Sequence, residues 1–166
     1  MANFEYLGIN HLALVCADMD RTVDFYVNTL GMPLTKTIEL PEGRGKHYFF
    51  DCGGGDQLAF FWFPKGPESV DAKEYRRITA TPGTMNHVAF NVAPEKIEDY
   101  QAKLVALGIE VTEVVNHADS ETQASEEVSP STFVRSIYFK DPDGTQLEFA
   151  AWARPLTEAD VVYPAD

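Results

Sequence analysis

One hairpin sequence occurs twice in this chain, and that repetition limits the available folds more than any other feature. Residues 135–152, RSIYFKDPDGTQLEFAAW, form two runs rich in β-formers around Asp141-Pro142-Asp143-Gly144. There the proline presets one backbone angle and the glycine accepts a positive φ. Residues 46–63, KHYFFDCGGGDQLAFFWF, lie over them without gaps: Phe50 on Phe139, Gly55 on Gly144, Gln57-Leu58 on Gln146-Leu147. The match continues upstream, where Asn10-His11-Leu12-Ala13 repeats as Asn86-His87-Val88-Ala89. Each of these strands leads into an amphipathic helix that closes on Leu-Gly, predicted over 19–30 and 94–107. The reading is an α+β chain of two tandem βαβββ modules, about 7–63 and 85–152, with a linker over 64–84 and a tail over 153–166, all within one domain.

Within module one, strand 8–16 alternates His11, Ala13 and Val15 against Leu12 and Leu14, one set for a helix and the other for an open face. Asp18 or Asp20 can cap the helix that follows, and Gly31 ends it. A strand near 35–40 and a turn at 41–45 complete the connection. The linker carries Pro, Gly and charges with no clean period, so no element is assigned to it. In module two Ile97, Tyr100, Leu104 and Leu107 make the buried stripe of the helix, and a strand is predicted near 109–115. Residues 116–132 are polar and Ser- and Glu-rich, and they have no counterpart in module one: His87 to Glu148 spans 61 positions and His11 to Ala59 only 48. Such a loop is a functional lid or a disordered insertion. In the tail, Val161, Val162 and Tyr163 are candidates for docking.

Composition excludes some partners. A formal charge of −13 repels a phosphate backbone, so nucleic acid and anionic membrane surfaces are poor partners. No segment is apolar enough to span a bilayer, and residues 1–15 do not read as a leader, which points to a soluble, cytoplasmic protein. Cys16 and Cys52 do not make a disulfide framework and are read as reduced structural thiols.

Strand parity puts Glu148 mid-strand among apolar neighbours, which costs free energy unless the carboxylate is paired or coordinated. The same parity turns His11 and His87, at equivalent places in the two modules, toward the concave faces of their sheets. Two imidazoles and one carboxylate with open positions suit Fe(II) or Mn(II), with Zn(II) or Ni(II) as further options. Any one of these histidines could instead be a core residue hydrogen-bonded locally. Phe49, Phe61, Phe63 and Trp152 share the concave side, whereas Phe50, Phe60, Trp62 and Phe149 belong beneath the helices. An aromatic lining suits a planar small molecule.

HLALVCADMDRTVDFYVNTLGM and YFKDPDGTQLEF resemble the vicinal oxygen chelate superfamily, which includes glyoxalase I, type I extradiol dioxygenases, epimerases and the fosfomycin and bleomycin resistance proteins. The resemblance covers residues 7–152 and implies paired modules whose curved sheets form a metal-holding cup, commonly in a homodimer. Glyoxalase I patterns would place a Glu or Gln ligand where this chain has Ala59. The remaining His11, His87 and Glu148 resemble the two-His, one-Glu iron site of the dioxygenases, which also place a Tyr where Tyr138 stands. Their acid/base His is replaced here by Asp56-Gln57, and His47, equivalent in position to Ser136, is the candidate substitute. The implied function is metal-dependent oxygenation or ring cleavage of a catechol-like molecule bound through two adjacent oxygens. A glyoxalase- or epimerase-type lyase or isomerase and a drug-binding protein are the alternatives. His117, opening the insertion, reads as a solvated loop residue or as a group that closes over a substrate.

Overall fold

The computed structural model describes residues 4–161. It divides into two compact units: one runs up to Arg76 and includes Pro142–Gly144, and the other takes in Arg77–Asp141 and the chain from Thr145.

In the first unit, β1 (His11–Val15) pairs in parallel with β4 (Gln57–Trp62), and β3 (Gly45–Asp51) and β2 (Leu34–Leu40) follow antiparallel, giving the order β1-β4-β3-β2. Helix α1 (Met19–Val23) starts where the Asp18 carboxylate accepts from the Arg21 N–H at 3.0 Å, satisfying a donor that a helix end otherwise leaves bare. It continues into a π-helical turn, Asp24–Thr29, in which the Leu30 N–H reaches back to the Phe25 carbonyl at 3.0 Å. That turn aims Tyr26 at the sheet, where it is fully buried with its ring 4.9 Å from Phe60 and 5.7 Å from Phe50. Gly45, at φ +142°, allows the β2–β3 connection to pass the Trp62 carbonyl, because a Cβ there would lie 2.0 Å from that oxygen. The turn Pro142–Gly144 belongs to this unit through Asp143. Its carboxylate accepts from the Ala17 N–H at 3.0 Å, from the Arg21 guanidinium at 2.5 Å and from the Ser69 hydroxyl at 3.1 Å.

The residues expected to form a structureless linker contain helix α2, Ala72–Thr79. The Asp71 carboxylate caps it by accepting the Lys73 and Glu74 N–H groups, both at 2.9 Å. No residue of α2 is fully buried; Tyr75, Ile78 and Thr79 are half-buried along one side, a stripe of two turns that is too short to stand out in the sequence.

The second unit repeats the plan as β5-β9-β8-β6-β7, with β5 (Val88–Asn91) parallel to β9 (Gln146–Trp152) and β8 (Thr132–Lys140) antiparallel to β9. Helix α3 (Ile97–Ala106) buries Ile97 and Leu104. Its own Tyr100 meets Phe149 of the sheet, which packs on Phe139, with ring centroids 5.6 and 4.9 Å apart along the series. The strand expected over 109–115 is displaced. Val111 forms only an isolated bridge to Phe139, and β6 spans Val115–Ala118. The polar insertion thus opens in a strand and supplies β7, Ala124–Ser125, which pairs with β6. In the tail, Arg154 holds Asp160 at 2.6 Å and Asp119 at 3.1 Å, keeping the Asp160 carboxyl far below the usual carboxylate range. Val161 is exposed, contrary to the docking role expected of it, and Val162 and Tyr163 lie outside the described residues. Cys16 and Cys52 are free thiols, and no helix among the described residues is long and apolar enough to cross a membrane.

The opposed faces of β3 give a direct test. Phe50 is fully buried under the helix, while Phe49 looks out of the other face and is only half-buried. Phe50→Ala is expected to cost about 3–5 kcal/mol in chemical denaturation, and Phe49→Ala less than about half of that.

Candidate metal-binding site

The second unit brings three of the predicted residues together on one face. Parallel pairing sets β5 beside β9, with Val88 opposite Leu147 and Ala89 opposite Glu148, so His87 stands at the strand entrance next to the Glu148 carboxylate. Nε2 of His87 lies 2.9 Å from Oε2 of Glu148, whose side chain is only 7% exposed. On the other side of β9, Tyr138 is the register partner of Glu148, and its ring meets that of His87 edge-on at 6.1 Å. Burial, and then the charge of Glu148, push the Tyr138 phenol above its ordinary value of 10, so it keeps its proton at neutral pH.

The His87–Glu148 contact bears on whether a cation fits here. His87 donates its Nδ1–H to the Asn86 Oδ1 at 2.7 Å, which turns Nε2 toward the Glu148 carboxylate. With the imidazole protonated the two form an ion pair; with it neutral, both atoms offer lone pairs and a cation can stand between them. A separation of 2.9 Å is the spacing of two neighbouring ligands each about 2.1 Å from one cation. The donor set and the outer hydrogen bond that orients the imidazole both fit a divalent metal.

The first unit carries the matching histidine. His11 donates from Nδ1 to the Asn10 Oδ1 at 2.8 Å, so the Asn-His lock is repeated. Gln57 is the register partner of His11, and its Oε1 accepts from the Thr35 hydroxyl at 2.7 Å. Ala59, at the repeat position of Glu148, is fully buried and offers no donor. His47 lies flat on Phe61, with centroids 3.7 Å apart and planes at 9°, and it also touches Phe49 at 4.4 Å. Phe63 extends the stack beyond Phe61 at 5.8 Å. The His47 Nε2 is enclosed and has no hydrogen-bond partner among the described residues. Among those residues no three His, Cys, Asp or Glu side chains stand in a ready-made metal cluster. His87 and Glu148 meet in the second unit, and His11 belongs to the first.

The sequence reads His117 as a solvated loop residue or as a group that closes over a substrate, and neither reading puts it on a strand. It sits in β6, half-buried, with Nε2 hydrogen-bonded to the Tyr138 hydroxyl at 3.0 Å. Its register partner is Val134, so the two long side chains meet by reaching along the sheet, which residue spacing does not reveal.

A family model described as the Glyoxalase/Bleomycin resistance protein/Dioxygenase superfamily matches residues 8–149, and the chain belongs to that superfamily. The metallothiol transferase FosB of Shouchella clausii is 26% identical over 141 residues, which are 85% of this chain and 77% of that protein. The crystal structure of SMU.1112c superposes with a TM-score of 0.65 at 26% identity, over 88% of this chain and 99% of that one. FosX, a fosfomycin resistance protein of Listeria monocytogenes solved with Mn(II) and sulfate, shares the fold with a TM-score of 0.56 at 22% identity, over 89% and 93% of the two chains.

Burial, and then the neighbouring His11, hold His47 below the ordinary histidine value of 6.5. As the pH falls through that value the unfolded chain gains a proton that the folded chain resists, so stability is lost on acidification. His47→Gln should flatten the decline in denaturation midpoint between about pH 7.5 and 5.5. A decline as steep as that of the wild type would show that another group causes it.

Proposed function

We propose that the protein is a metal-dependent vicinal oxygen chelate enzyme, with His11, His87 and Glu148 as ligands and a small molecule bearing two adjacent oxygens as substrate. The observation that carries this reading is the approach of His87 Nε2 to the Glu148 carboxylate at 2.9 Å, two metal-ligating groups side by side on one face. The Asn10–His11 lock, repeating Asn86–His87, supports His11 as the third donor. A bound Fe(II) or Mn(II), or less suitably Zn(II) or Ni(II), supplies Lewis acidity toward the substrate oxygens and, with Fe(II) or Mn(II), access to dioxygen chemistry.

The chain's own residues supply the rest. Asn10 and Asn86 fix the imidazole tautomers. Tyr138 keeps its proton and can hydrogen-bond a substrate oxygen, and His47 is the candidate to assist proton transfer. Phe49, Phe61 and Phe63 offer a flat apolar surface to a planar molecule. Oxygenation or ring cleavage of a catechol-like compound is the leading reaction. Lyase, isomerase or transferase chemistry without oxygen is the second reading, favoured by the similarity to FosB and by a base at His47. A homodimer accompanies either reading: Ile9 and Val15, at the β1 edge, are 65% and 58% exposed and call for cover.

Two measurements test this. Titration of the metal-free protein with Mn(II) should give a single tight site that His87→Ala abolishes and Asn86→Ala weakens by about tenfold to a hundredfold. The Fe(II)-loaded protein should consume oxygen on addition of catechol. Tight metal binding without oxygen uptake would leave the second reading in place, and no metal uptake at all would end both.

A further inference from the structure

Three of the points at which module two departs from module one converge on one face. Glu148 stands where the first module has Ala59, and Tyr138 stands where it has Phe49, which lacks a hydroxyl. The third departure is the insertion, and it places His117 on the Tyr138 oxygen. Packing alone would not require a carboxylate, a phenol and an imidazole to be added together to one copy of a repeat.

His117 is also held more firmly than a loop residue. β6 is paired on both sides, so the His117 backbone lies between Ala124 of β7 and Val134 of β8. The insertion beyond it is closed by its own hydrogen bonds. The Asn116 amide donates to the Ser125 and Glu126 carbonyls at 3.3 and 3.2 Å, and the Ser129 N–H donates to the Thr132 hydroxyl at 2.9 Å. A site residue borne on a doubly paired strand directs its partner more sharply than one on a free loop.

A phenol has a single proton, and rotation about the C–O bond decides where it points. With Glu148 on the neighbouring strand, Ser136 on its own strand and His117 at 3.0 Å, the Tyr138 hydroxyl has competing neighbours. We propose that His117 is a positioning residue that engages the Tyr138 hydroxyl and fixes its direction beside Glu148, so that the phenol meets a bound substrate in one orientation. This rests on the reading of the site as a metal-dependent chelating centre.

The test is a double-mutant cycle on the Mn(II)-loaded full chain, with anaerobic binding of 4-nitrocatechol followed by its absorbance shift. His117→Ala should weaken binding by about threefold to tenfold, the equivalent of one hydrogen bond. His117→Gln, which keeps a group able to bond the phenol, should recover most of the loss. In a Tyr138→Phe background His117→Ala should add nothing, because its effect passes through the hydroxyl. Additive losses, or a His117→Gln protein as weak as His117→Ala, would overturn the inference while leaving the metal reading intact. A wild-type protein that takes up no Mn(II) would overturn both.

Discussion

Each module lays its last strand parallel to its first, and the placement of the candidate ligands follows from that pairing. A parallel neighbour cannot be reached by a tight turn, so the chain crosses by way of a helix and two further strands before returning. The return brings Glu148 beside the entrance of β5, 61 positions after His87 in the chain. It also gives β4, β8 and β9 one face packed against a helix and one face turned away from it. Phe50, Phe60 and Leu147 fill the covered side, and the polar chemistry collects on the other.

The hairpin repeat made much of this legible. Aligning 46–63 on 135–152 gave the turn positions, the cross-strand neighbours of Glu148 and the sorting of aromatic residues between the two faces, because a two-residue period leaves little freedom once one carboxylate is assigned. The superfamily was readable from the same stretches. Three things were not. Helix α2 is only eight residues long, held by its Asp71 cap and with Tyr75, Ile78 and Thr79 half-buried, so its hydrophobic period was too brief to detect. The strand sought over 109–115 begins later, because Val111 makes a single bridge before the chain leaves the sheet. His117 lay hidden in a segment whose polarity reads as loop, and its link to Tyr138 depends on two side chains leaning along the strands. A doubly paired β6 could have been suspected only from the short Val-Val-Asn-His-Ala run, which is too brief to stand out.

The electrostatic arrangement of the second unit is uneven. Glu148 is nearly buried and its neighbour His87 more open, with side-chain exposures of 7% and 36%. A carboxylate withdrawn from water this far needs a positive partner, whereas an imidazole tolerates either environment. The acid is therefore the residue that demands company, and the histidine, with Nδ1 already committed, is oriented to share it. Tyr138 borders the same carboxylate and stays neutral because burial, and then the Glu148 charge, oppose a phenolate there.

The two Asn-His pairs carry one further implication. In both, the proton of the imidazole is assigned by the residue immediately before it in the chain, across a single peptide bond. The orientation of each imidazole is thus tied to a dipeptide. A unit that small survives duplication intact, since copying the strand copies the tautomer with it. The partner acid had no such local provision, and after duplication it could be kept in one copy and replaced by alanine in the other.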